Sequence, residues 1–358
     1  MYWISEPFLY LGYAILAGIT VLAFVSETKK PLIKFPIWLG PAAAVVVALC
    51  AYIPILQIIM FFKDDVGFAQ SFKAVMFSFQ EGERYAWVAT LSLLIAVLSV
   101  IIHRRPKAVV RWLMPISLLG IAFSMSSFNH AASLFGFKGE LAFFGHFTAM
   151  AIWTGTLLMV GWFNKGTDGW SAFLKWFHPL AIISVLIVIG SGLFLMSGVT
   201  PDLTMSWVVP YGQALLIKHI LILPLLVFGF INGYLMKRKM LHDPGFKPAT
   251  WSRNEGVLLW LIYIVTGYMN QQAAPHDLTL PISAAEGADT FRWFHPSFEG
   301  SSLSFIWSLP GLILFMLGAV LLIGMLVLFK RNRRAGAVLL CSLGASVAIY
   351  AGIMLSFQ

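Results

Sequence analysis

Two histidines, His146 and His219, are the residues of this sequence best placed to do chemistry. Each falls inside an apolar run, at a comparable depth from the outer end, so two helices could offer imidazole nitrogens to one ligand if their faces turn inward. Met150 follows His146 by four residues and projects from the same helix face. A His nitrogen with a Met thioether suits Cu(I), whereas Zn²⁺ more often takes Cys or carboxylate. The competing reading is plain packing, because Met in an apolar helix usually fills space and a buried imidazole is often only hydrogen-bonded. Lys218, beside His219, lies about eight residues into its run, roughly 10 Å below the helix end at about 1.5 Å per residue. Its stem either snorkels to the interface or places an ammonium where it acts.

The other histidines fall unevenly. His130, His276 and His295 join His146 and His219 on the outer side, and His103, His178 and His242 fall on the inner side. An outer metal or cofactor site is favoured. His276 with Asp277, and His295 near Glu299, could gather a cation before it reaches the buried pair, or could be solvated loop residues. Asn232, Gln213, Ser191 and Thr154 suit hydrogen bonds between helices, and Gly155, Gly190 and Gly192 permit close helix contact. Cys50 and Cys341 both sit in apolar runs, so neither a disulfide framework nor a CxxC thiolate site is expected. The sequence has no GxxxxGK[ST], no GxGxxG after a strand, no HExxH and no GxSxG. ATP-driven pumping by this chain alone is not expected, and a transporter or metal-binding protein is favoured over an enzyme.

The elements that must position these residues are membrane helices. Hydrophobic residues make up 59% of the 358 residues and charged ones 11%, where a soluble domain carries roughly a quarter charged. Runs near the roughly 20 residues needed for a span extend from about Phe8 to Val25, Ile37 to Phe62, Tyr85 to Ile102, Val109 to Phe128, Leu141 to Phe163, Leu174 to Ser197, Gly212 to Met236, Gly256 to Met269, Phe305 to Phe329 and Ala335 to Leu355. The expected fold is an all-α, polytopic transmembrane bundle of about ten spans. Met1 to Pro7 carries Glu6 and no Lys or Arg, so the first run is expected to stay as a helix rather than be cleaved.

The net charge of +9 comes from short Lys and Arg clusters: Lys29 to Lys34, Arg104 to Arg111, Lys165 and Lys175, Lys237 to Arg253, and Lys330 to Arg334. They occupy alternate loops, as cytoplasmic loops do, which puts both termini outside and argues against nucleic acid as the partner. The outer loops are neutral or acidic, with Asp64, Asp65, Glu81 and Glu83 in one and Asp277, Glu286, Asp289 and Glu299 in another. The chain divides into residues 1–128, an N-terminal four-span region; 129–275, a four-span core; and 276–358, an outer segment with two further spans. Residues 273–304, rich in Pro and aromatics, read as a lid on the helix ends.

From Phe143 to Pro275 the sequence carries "GHFTAMAIWTGTLL" with His146, Trp153 and Gly155, then "SGLFLMSG", "YGQALLIKHILIL" with Lys218, "NGYLMKR", "RNEG" with Arg253 and Glu255, and "QQAAP". On these motifs it resembles the copper resistance D (CopD) family of bacterial inner-membrane proteins. The resemblance implies a multi-pass protein of the cytoplasmic membrane that takes up or transfers copper ions. It also implies a separate CopC-like copper-binding partner outside the membrane. Broader relatives of this helical core include haem proteins in which a span His and a downstream span Lys matter, a pairing matched by His146 and Lys218. Haem b ligated by His146 or His219, with a propionate accepting Lys218, is therefore the alternative. A copper delivery factor for assembly of a respiratory oxidase is a third reading.

Overall fold

The computed structural model describes residues 3–104, 108–127, 130–200, 202–243, 245–275, 287–299, 303–331 and 334–357, without the side chains of residues 130 and 131. It is built of helices, and the chain divides into two compact units, Met1–Gly198 and Val199–Gln358.

The first unit holds α1 (Ser5–Phe24), α2 (Leu39–Val66), α3 (Phe68–Ser78), α4 (Gln80–Arg104), α5 (Ala108–Ser126), α6 (His130–Phe135), α7 (Phe137–Phe163) and α8 (Trp170–Val199). Its core forms around α1, whose Leu9, Tyr13, Ala14, Leu16 and Ile19 are buried. A helix apolar on nearly every side belongs in the middle of a bundle, and α1 packs against α2, α5 and α7. The Tyr13 hydroxyl would be costly there without a partner, and it donates to the Leu118 carbonyl of α5 at 2.8 Å. Between α2 and α3 the chain turns on Gly67, whose φ of +83° only glycine adopts without strain. α8 is anchored at its start, where Trp170, Phe173, Leu174 and Phe177 are buried, while its apolar stretch from Ile182 onward is largely exposed.

The second unit holds α9 (Leu203–Ser206), α10 (Pro210–Phe230), a single π-helical turn (Ile231–Leu235), α11 (Met236–His242), α12 (Pro248–Asn270), α13 (Asp289–Arg292), α14 (Leu309–Lys330) and α15 (Ala335–Met354). Here α14 and α15 form an antiparallel hairpin, and α10 packs against α12 and α15. The run expected from Phe305 begins its helix later, at Leu309. Ser308 caps that helix by accepting from the Gly311 amide at 3.0 Å, and Phe305 instead pairs with Phe357 in an isolated bridge.

Among the described residues, nine helical segments are long and apolar enough to cross a membrane, one of them the continuous stretch Pro210–His242. The tenth run, expected from Gly256, lies in the 23-residue α12. That helix has the length to span but is less apolar, because its first turns carry Arg253, Asn254 and Glu255. The chain is a polytopic helical membrane protein. The break between units falls inside the four-span region expected over residues 129–275, with α7 and α8 in the first unit and α10 and α12 in the second.

Candidate functional site

In the first unit, α7 carries His146, Met150 and Trp153. His146 and Met150 are half-buried one turn apart, and Trp153 is buried. The His146 Nδ1 lies 3.1 Å from the Ser191 hydroxyl of α8. Ser191 itself donates to the Ile187 carbonyl, which leaves its oxygen to accept. With Ser191 as the acceptor, the Nδ1 of His146 carries a proton. Gly192 of α8 lies against the same ring: a Cβ there would stand 3.4 Å from the His146 Cε1, in van der Waals contact. A metal-binding imidazole is ordinarily held this way, with one nitrogen donating to a fixed acceptor and the other offering its lone pair.

In the second unit, α10 carries Lys218 and His219. The His219 Nδ1 is 2.7 Å from the Leu215 carbonyl. A carbonyl can only accept, so this ring too is protonated at Nδ1. His219 is exposed on its helix and Lys218 is half-buried. Among the described residues Lys218 forms no ion pair; the segment 276–286, with His276 and Asp277, lies outside them. His130 opens α6, and its side chain also lies outside what is described. His295 has a packing role: its Nε2 donates to the Met354 carbonyl at 2.9 Å, and its ring stacks on Phe291 at 4.6 Å. That contact ties the segment after α13 to the end of α15. Among the described residues, no group of three or more His, Cys, Asp or Glu side chains comes together to hold a metal ion.

Gln213 and Asn232, expected to hydrogen-bond between helices, do so in the second unit, with partners that the sequence did not name. Gln213 is buried; its amide nitrogen donates to the Trp207 carbonyl, and its oxygen accepts from the Tyr350 hydroxyl and, at 3.4 Å, from Thr290. It thereby joins α10 to α15 and α13. The second pair is Asn232 and Glu255, which are 5% and 3% exposed. The Asn232 Nδ2 donates to the Glu255 Oε2 at 2.6 Å and to the Trp251 carbonyl at 3.4 Å. Asn232 lies in the π-helical turn, a local widening that often marks a functional position in a helix. The signal for Glu255 was available, since a carboxylate two turns into a helix is a site candidate wherever that helix crosses a membrane. The span drawn from Gly256 began one residue too late to include it.

No curated protein and no solved structure matches this chain. The family model described as copper resistance protein D matches residues 171–269. That stretch runs from the start of α8 to the end of α12 and contains Ser191, Lys218, His219, Asn232 and Glu255, while α7 with His146 and Met150 precedes it. Over that stretch this multi-pass membrane protein is similar to the copper resistance D family.

Proposed function

We propose that the protein binds copper, as Cu(I), and takes it up or transfers it at the outer face of a bacterial cytoplasmic membrane. His146 supplies the nitrogen through Nε2 and Met150 the thioether, both soft enough for the monovalent ion. The observation that carries the reading is the hydrogen bond between His146 Nδ1 and Ser191, which holds the ring in the tautomer a metal needs. The family match supports a role in copper handling. Within the second unit, His219, protonated at Nδ1 in the same way, is a further proposed ligand, with Lys218 tuning charge beside it. His130 is a further proposed metal ligand, and His276 and Asp277 gather the ion from outside, where a CopC-like protein delivers it. The alternate basic loops support an orientation with both termini outside.

The test is titration of detergent-purified protein with Cu(I) against a competing chelator, alongside oxidised and reduced absorption spectra and elemental analysis. Near-stoichiometric copper uptake lost in His146→Ala and kept in His178→Ala supports the site. A Soret band with stoichiometric iron transfers the assignment to haem b at the same histidines. Copper binding with a stable oxidase complex and no movement into vesicles makes the protein a delivery factor.

A further inference from the structure

The buried pair in the second unit is one hydrogen short. A primary amide offers donors and an acceptor, and a carboxylate offers acceptors alone. Asn232 Nδ2 meets Glu255 Oε2, but the other half of the amide, Asn232 Oδ1, is buried with no hydrogen-bond partner. A buried acceptor left over is uncommon in folded proteins and asks for an explanation. A carboxylic acid supplies what a carboxylate cannot, an O–H donor beside the oxygen that already accepts from Nδ2.

The charge balance points the same way. Among the described residues Asn232 is the only hydrogen-bond partner of the Glu255 side chain, and no Lys, Arg or His lies within ion-pair distance. The face of α12 that carries Glu255 continues through Trp251, Ser252, Leu258, Leu259 and Ile262, none of them ionisable, with Tyr263 buried two turns further along. On the elements packed against it, Lys239 is committed to the Phe329 carbonyl, Tyr234 to Arg238 and Tyr350 to Gln213, and Lys218 and His219 lie more than three turns back along α10 from Asn232. Arg253 is exposed on another face of α12, and Cys341 of α15 is half-buried. An ionised carboxylate in such surroundings would lose its hydration with no cation in return.

We infer that Glu255 and Asn232 form a proton-binding site on the π-helical turn, occupied by a proton at rest and able to release it when the helices around it rearrange. The site lies within the second unit and does not depend on the copper reading. A buried carboxylic acid with a single amide partner is chemically suited to hold and release a proton.

The full chain in detergent is treated with dicyclohexylcarbodiimide, an apolar reagent that adds a carboxylic acid across its C=N bond and traps it as an N-acylurea, with no leaving group. A carboxylate lacking the proton does not react. Peptide mass mapping of the wild type is expected to find the adduct on Glu255, with its yield falling as pH rises. Infrared difference spectra are expected to show a carboxylic C=O band that is lost in Glu255→Gln and moved to higher frequency in Asn232→Leu, where the amide donor is gone. An unlabelled Glu255 together with a spectrum unchanged by Glu255→Gln overturns the inference. So does suppression of the adduct by sodium at fixed pH, which would make the oxygens a hard-cation site. Because labelling uses the wild type, poor folding of either variant leaves the test intact.

Discussion

Gly18 of α1 and Gly155 of α7 meet backbone to backbone. A Cβ added to Gly18 would stand 2.2 Å from the Gly155 carbonyl oxygen, and one added to Gly155 would stand 1.8 Å from that of Ala14. Small residues let membrane helices approach this closely, where dispersion and carbonyl contacts replace the missing hydrophobic drive. Gly155→Ala must therefore separate α1 from α7, at a cost of about 1–3 kcal/mol for an overpacked contact. Thermal unfolding in detergent is expected to show a lower midpoint, whereas Gly336→Ala, at a position with no atom within 4 Å of the added carbon, should leave it unchanged.

If the Ser191 hydroxyl orients His146, then Ser191→Ala should weaken Cu(I) binding by about 10–100-fold, the usual effect of losing the partner of a ligating imidazole. His146→Ala should abolish binding at the site. Chelator competition measures both, and equal losses in Ser191→Ala and His178→Ala would point to general destabilisation instead.

Gln213 is expected to matter for stability rather than for ligand binding. Replacing it by Leu strands the Trp207 carbonyl and the Tyr350 hydroxyl, for a loss of roughly 2–3 kcal/mol. Tyr350→Phe removes one bond and should cost about 1 kcal/mol. Denaturation midpoints would rank the two, and the reverse order would show that Gln213 is not the hub.

Asp202, in the segment before α9, should give a local pH dependence. Its Oδ1 accepts from the Met205 amide at 3.0 Å and the Thr204 hydroxyl at 2.8 Å. The Met205 amide, followed by the Thr204 hydroxyl, holds its carboxyl below the usual carboxylate range. The cap is therefore complete above the ordinary Asp pKa and is lost as pH falls through the lowered folded value. Protection of the Met205 amide should decline in that acid range in the wild type. In Asp202→Ala it should be absent at every pH.

Much of the fold was legible in the sequence because a bilayer imposes a simple rule: an apolar run of sufficient length becomes a helix. Nine of the expected runs appear in helices that meet it. The rule blurs where polarity enters, as at α12, whose first turns mix Arg253, Asn254 and Glu255 with apolar residues. The candidate site was legible only as residue types. His146 and Met150 are paired by helix spacing, but the hydroxyl that fixes the ring comes from α8, 45 residues away, and no local pattern announces it. The π-helical turn was equally hidden, because "INGYL" differs little from an ordinary helical sequence until its hydrogen bonds shift.

The exposed stretch of α8 has a consequence for how substitutions distribute along it. Ile182, Ile183, Leu186, Ile187 and Leu193 lie largely exposed on this chain, and an acyl chain makes no demand of them beyond oiliness. Swapping one for another should pass almost unnoticed. At Ser191 and Gly192 the tolerance ends abruptly, since one position supplies a particular oxygen and the other leaves space for a particular ring. A saturation scan along this helix should trace a long plateau broken by a notch two residues wide.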